Sequence, residues 1–128
     1  MTTILLDTQA LLWLLDDSPR MGEQARAHVE AATAVHFSAA SLWEIEIKRA
    51  LGKLAISGDL ASALAASGLT ELPVTGAHVL GISRVELTHR DPFDRMLLSQ
   101  ARAERMAFLT ADAALLALDD NTIIDARQ

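Results

Sequence analysis

The sequence has no cysteine, which excludes thiol catalysis, zinc–thiolate sites and a disulfide scaffold. Aromatic residues make up only 4% of it, and Trp13, Trp43 and Phe93 all read as core residues. No aromatic platform for stacking on bases is therefore expected. Apolar runs such as Ala10–Leu15 fall far short of the roughly 20 residues that a membrane span requires. The start, Met1-Thr2-Thr3-Ile4-Leu5-Leu6, meets Asp7 at once. With no basic region and no small-residue cleavage site there, it is not read as a signal peptide, and a cytoplasmic protein is the expectation. Lysine is scarce as well: of eleven basic residues only Lys48 and Lys53 are lysines, and the formal charge is −6. That balance argues against a protein that grips nucleic acid by bulk charge, while leaving room for a local basic rim or a metal-bridged phosphate.

What is present fits one domain spanning residues 1–128, with 51% apolar residues, enough to bury a core without a staple. Short β-like runs alternate with longer helical ones, the pattern of an α/β fold. Strands are predicted at Thr3–Leu6, Ala34–Phe37, Leu72–Val74, Ala107–Thr110 and Thr122–Ile124. Helices are predicted at about Gln9–Asp16, from Ser18-Pro19 to Ala32, at Ser41–Leu51 before Gly52, and at Asp59–Ala66 before Gly68. Further helices are predicted at Thr75–Val85, at Pro92–Arg105 and from Ala113. Buried strands joined by helices imply a mainly parallel sheet covered on both faces. Ligands of such sheets bind at the carboxyl ends of the strands.

Carboxylates fall at those ends. Asp7 follows the first strand, and Asp112 lies two residues after the strand ending at Thr110. Each also suits a plain helix N-cap. Glu44 lies early in the helix after the second strand, and Ser41-Leu42-Trp43-Glu44 has capping-box spacing. It could equally pair with Lys48 one turn on. In Asp91-Pro92-Phe93-Asp94, Asp91 is a good cap, Pro92 a good first helical residue, and Asp94 complements the helix dipole. Each has a structural explanation alone, but gathered at one edge they would raise one another's pKa and destabilise the fold unless a cation offsets them. Mg²⁺ or Mn²⁺ fits an all-oxygen donor set. Zinc does not, because His28, His36, His78 and His89 show no ligand-pair spacing. A carboxylate-held metal beside a phosphodiester activates water and stabilises the developing charge. Thr8 and Thr110, beside Asp7 and Asp112, are candidates for orienting that water. Arg49, Lys53, Arg90 and Arg95 are candidates for holding the nucleic-acid backbone, each having a solvated helix face or an ion pair as its plainer reading.

The stretches Leu5-Leu6-Asp7-Thr8-Gln9-Ala10-Leu11-Leu12-Trp13-Leu14-Leu15, Ser38-Ala39-Ala40-Ser41-Leu42-Trp43-Glu44-Ile45, Leu51-Gly52-Lys53-Leu54, His89-Arg90-Asp91-Pro92-Phe93-Asp94-Arg95 and Leu109-Thr110-Ala111-Asp112 run in order across nearly the whole chain. Together they resemble the PIN-domain family, and most closely the VapC-type toxins of bacterial toxin–antitoxin pairs. The resemblance implies a three-layer α/β sandwich and a metal-dependent endoribonuclease. Its acidic quartet, serving both metal binding and catalysis, maps onto Asp7, Glu44, Asp94 and Asp112. Asp91 is then a cap or a supporting group. It also implies an RNA substrate, a homodimer, and a cognate antitoxin that blocks the site. Residues Ala10–Leu15 would form a helix apolar on all sides, which independently suits a partner or simple burial. Two rivals belong to other classes. A phospho-receiver domain would need an acidic pair after the first strand and a lysine after the fifth, and the sequence has neither. A PIN scaffold without activity, serving as a binding module, would be expected to have lost some of the carboxylates, and all four are present.

Overall fold

A computed structural model of the chain describes residues 2–86 and 91–128. His89 and Arg90 lie outside the described residues. The chain runs β1 (Thr3–Leu6), α1 (Thr8–Leu15), α2 (Glu23–Ala31), β2 (Ala34–Ser38), α3 (Ala39–Ala50), α4 (Leu60–Ser67), β3 (Thr70–Leu72), α5 (Gly76–Leu80), α6 (Pro92–Ala103), β4 (Ala107–Thr110), α7 (Ala113–Leu116) and β5 (Ile123–Asp125). A 3₁₀ turn, Gly81–Arg84, follows α5. The strands form a five-stranded sheet in the order β3-β2-β1-β4-β5, and every pairing is parallel. Helices cover both faces, as the buried strands foretell.

Alternation along β1 and β4 divides the interior into two cores. Leu5 and Phe108 pack with Leu72, Leu97, Leu98, Ala101 and Leu115 on one face. Ile4, Leu6 and Leu109 pack with Ala10, Leu11, Ala25, Phe37 and Ile45 on the other. One buried polar chain crosses this apolar interior. The Ser38 hydroxyl donates to Gln100 Oε1 at 2.5 Å, and Gln100 Nε2 lies 3.4 Å from both Pro73 O and His78 Nδ1. Because His78 Nδ1 accepts from Thr75 N, its Nε2 carries the proton and donates to Glu104 at 2.9 Å.

Several element boundaries depart from the sequence reading. The helix expected from Ser18-Pro19 begins only at Glu23, after Gly22, because the backbone at 22 packs against residues 127 and 128. Strand β2 runs directly into α3, so Ser38 caps that helix and the Ser41–Glu44 capping box does not form. β3 ends at Leu72, where Leu72–Val74 was expected. Among the described residues no helix is long and apolar enough to cross a membrane.

The sheet order places a topological switch point between β1 and β4, since the chain leaves β1 toward β2 and later returns on its other side to β4. In open parallel sheets that crevice, at the carboxyl ends, is where ligands bind.

Candidate active site

The described cleft at that edge has a volume of about 600 Å³ and is lined by all five carboxylates singled out above, Asp7, Glu44, Asp91, Asp94 and Asp112. Three of them are N-caps, each occupying a helix start that points into the cleft. Asp7 Oδ1 accepts from Ala10 N at 2.7 Å, Asp91 Oδ1 from Phe93 N at 2.9 Å, and Asp112 Oδ2 from Leu115 N at 3.0 Å. Capping and site-building are therefore one arrangement here, because the positive ends of α1, α6 and α7 are what gather the negative side chains.

Asp7 is buried at 4% exposure. Its second oxygen accepts from the Thr110 hydroxyl at 2.6 Å, and Thr110 Oγ in turn accepts from Asp112 N at 3.0 Å. Burial pushes the Asp7 carboxyl up from 3.8 to about 6, against the opposing hydrogen bonds from Thr110, Ala10 and Ala111. Glu44, buried in the body of α3, receives the Thr8 hydroxyl on Oε1 at 2.6 Å and Lys48 Nζ on Oε2 at 2.5 Å. The Thr8 and Ser41 hydroxyls lie 2.9 Å apart. With one proton per hydroxyl and a carboxylate that only accepts, Thr8 donates to Glu44 and accepts from Ser41. Both threonine protons are thus committed to carboxylates. Lys48 is held above its ordinary pKa, chiefly by the hydrogen bond to Glu44.

Asp94, on the first turn of α6, is the most perturbed. Burial pushes its carboxyl from 3.8 to about 8, assisted by the charges of Asp91, Asp112, Asp7 and Glu44. Among the described residues the cations lining the cleft are Lys48, Lys53 and Arg127. Arg49 instead pairs with Glu46 at 3.0 Å on the exposed side of α3, and neither it nor Arg95 lines the cleft. Arg90 lies outside the described residues. Arg127 was missed in the sequence, although it follows the last strand at the same sheet edge that drew attention to Asp7 and Asp112. Trp43 is also a correction: it is 65% exposed and meets Phe93 edge-to-face at 5.4 Å, outside the core. Beside the cleft, Leu12, Trp13, Leu15, Leu54, Ile56 and Leu60 line an apolar groove of about 260 Å³ between α1 and α4.

A doubly covered parallel sheet with a carboxylate-lined cleft at its switch point defines the class: an α/β protein with an acidic cleft where such sheets bind their ligands. The family model for the PIN domain matches residues 4–121, and the chain belongs to the PIN-domain family. Three solved structures illustrate the likeness. VapBC2 from Rickettsia felis, bound to a promoter DNA fragment, has a TM-score of 0.67 and 16% identity, with 96% of each chain covered. DNA-bound VapBC from Salmonella typhimurium has a TM-score of 0.63 and 19% identity, covering 97% of this chain and 96% of that one. VapC20 from Mycobacterium tuberculosis, a toxin that cleaves the sarcin–ricin loop, has a TM-score of 0.59 and 15% identity, covering 95% and 99%. At these identities the likeness is one of fold. No curated protein sequence matches significantly.

Proposed function

We propose that the protein is a Mg²⁺- or Mn²⁺-dependent endoribonuclease, with Asp7, Glu44, Asp94 and Asp112 as its working carboxylates, acting as the toxin of a toxin–antitoxin pair. The observation that carries the reading is the gathering of Asp7, Glu44, Asp91, Asp94 and Asp112 along one cleft at the sheet's switch point. The Asp94 carboxyl, driven to about 8 by burial and by four neighbouring acids, marks a charge arrangement that costs the fold stability and suits a cation.

The donor set fits such an ion in chemistry, being all hard oxygen. Among the described residues no three His, Asp or Glu side chains are drawn together closely enough to hold one as they stand. Such an ion would be held by Asp7, Glu44, Asp94 and Asp112, with water completing its shell. When bound, the ion supplies charge neutralisation at the phosphate and a lowered pKa for water. The chain's own residues do the rest. Asp7 is aimed by Thr110 and Ala10, and Glu44 by Thr8 and Lys48. Burial and its acidic neighbours push the Asp94 carboxyl up to about 8, so its hold on a cation would strengthen as pH rises. Lys48, Lys53 and Arg127 offer the only cations along the described lining, where an RNA backbone can approach.

The similar folds in toxin–antitoxin complexes support an antitoxin as partner. So does the apolar groove beside the cleft, which would seat an apolar segment next to the carboxylates. A homodimer and a cytoplasmic location complete the proposal, on the family's pattern. The test is cleavage of a mixed RNA pool by purified, partner-free protein in Mg²⁺, Mn²⁺ and EDTA, alongside Asp7→Asn. Metal-dependent cutting that the variant loses is expected. Equal cutting in EDTA, or by the variant, overturns the mechanism, and no cutting by folded protein in any condition favours a binding module.

A further inference from the structure

Resting on the ribonuclease reading, we infer that Arg127 is a substrate-positioning residue that holds a backbone phosphate of the RNA in the acidic cleft. A polyanion entering a cleft lined by five carboxylates must be met by positive charge, and along the described lining that charge is Lys48, whose ammonium pairs with Glu44 at 2.5 Å, Lys53 and Arg127. Arg127 is placed differently. Its Nε and Nη2 donate to Asp125 Oδ1 and Oδ2 at 3.1 and 3.2 Å, and Asp125 Oδ1 also accepts from Arg127 N at 2.9 Å. Among the described residues Nη1 makes no protein hydrogen bond. One edge of the guanidinium is thus clamped, while the other keeps donors for a second oxyanion.

An exposed pair of this kind adds little to stability. Its effect is to orient the fork, and the backbone beneath is built to hold that orientation. Asp125 stands opposite Thr110 at the end of the β4–β5 ladder. The next residue, Ala126, is fully buried, with its N–H donating to Thr110 O at 2.8 Å. Gly22 N donates to Ala126 O at 3.0 Å, and Gln24 N and Ala25 N donate to Gln128 O at 2.8 and 3.3 Å. The first amides of α2 therefore grip the chain on both sides of Arg127. Contact there is so close that a Cβ at position 22 would stand 2.0 Å from Gln128 C and 2.6 Å from Arg127 O. Glycine at 22 forgoes a side-chain cap for α2 and gains this seat for residues 126–128.

The test uses the full chain in an Asp7→Asn background, to suppress cutting, with Mg²⁺ and a fluorescein-labelled single-stranded RNA of mixed sequence. Binding is followed by anisotropy across a salt series. Adding R127A should weaken binding about tenfold at low salt, the worth of one charge-assisted contact. It should also flatten the slope of log affinity against log salt by about 0.7, the signature of one lost single-strand phosphate contact. R127K should recover the slope but only part of the affinity, since an ammonium keeps the charge and loses the fork. The melting temperature should stay put. Unchanged affinity and slope in R127A overturn the assignment, leaving the fork to a protein carboxylate. Parent protein that fails to cleave RNA, while R127A still lowers the slope, sinks the nuclease reading and upholds the phosphate contact. Parent protein that binds no RNA overturns both.

Discussion

Replacing Asp7 by asparagine should stabilise the metal-free protein at alkaline pH and do nothing of the kind in acid. In the fold the Asp7 carboxyl titrates at about 6 and not at 3.8, so the native state binds its proton more tightly than the unfolded chain does. The favourable contribution is complete below 3.8 and lost as pH rises through 6. Ionised Asp7 therefore costs about 3 kcal/mol above pH 6, at about 1.4 kcal/mol per tenfold change in proton affinity. Asparagine removes that cost and keeps the cap to Ala10 N. It exchanges the acceptor facing Thr110 for a donor, at a cost of about 1 kcal/mol. The net expectation is a gain of about 1–2 kcal/mol at pH 8, turning into a slight deficit at pH 4. Urea unfolding in EDTA at both pH values measures it, with EDTA needed because a bound cation would conceal the repulsion. A difference between variant and parent that ignores pH, or a variant less stable than the parent at pH 8, would refute the reasoning and leave Asp7 a helix cap above all.

Asp94→Asn should flatten the pH dependence of stability further, because that carboxyl, at about 8, contributes stability in acid that is lost as pH rises through 8. The urea midpoint from pH 5 to pH 9 reports it. Adding Mg²⁺ should raise the melting temperature of the parent at pH 8 more than at pH 5, where Asp7 and Asp94 keep their protons; equal shifts would place the ion elsewhere. Gly22→Ala should destabilise by about 1–3 kcal/mol, as overpacking does, because its Cβ meets backbone 2.0 Å away. Calorimetry checks this, and an unchanged melting temperature would show that residues 126–128 lift off freely.

Much of this molecule can be read from local pattern. Thr3–Leu6 and Ala107–Thr110 are strands with the bounds expected of them, each a short apolar run followed by an aspartate, Asp7 at once and Asp112 two residues on. That rule brought Asp7 and Asp112 to one edge, and Asp91-Pro92 marked the start of α6 by cap and imino acid alone. The departures have tertiary causes. Nothing in Ser18-Pro19 announces that α2 must wait for Gly22, because the constraint comes from residues 127 and 128 at the far end of the sequence. Trp43 reads as core by composition, yet it lies on the outer side of α3, where Phe93 covers only part of it. The helix expected over Thr75–Val85 breaks into α5 and a 3₁₀ turn at Gly81, where a Cβ would stand 2.6 Å from Ser99 Oγ. Arg127 stands two residues past the end of the final strand, at the same sheet edge as Asp7 and Asp112.

The hydrogen bond between Ser38 and Gln100 works like a key in a shaft. Leu97, Leu98 and Ala101 offer α6 an oily bearing, and such surfaces tolerate a change of angle at small cost. A one-residue slip would swing every side chain of the helix by about 100°. Gln100, its amide threaded between Ser38 on one side and Pro73 and His78 on the other, permits one angular setting. In that setting Asp94, on the same rigid rod, faces the other acids. The angular setting of Asp94 is thus tied to the far half of α6, through a fully buried neutral amide.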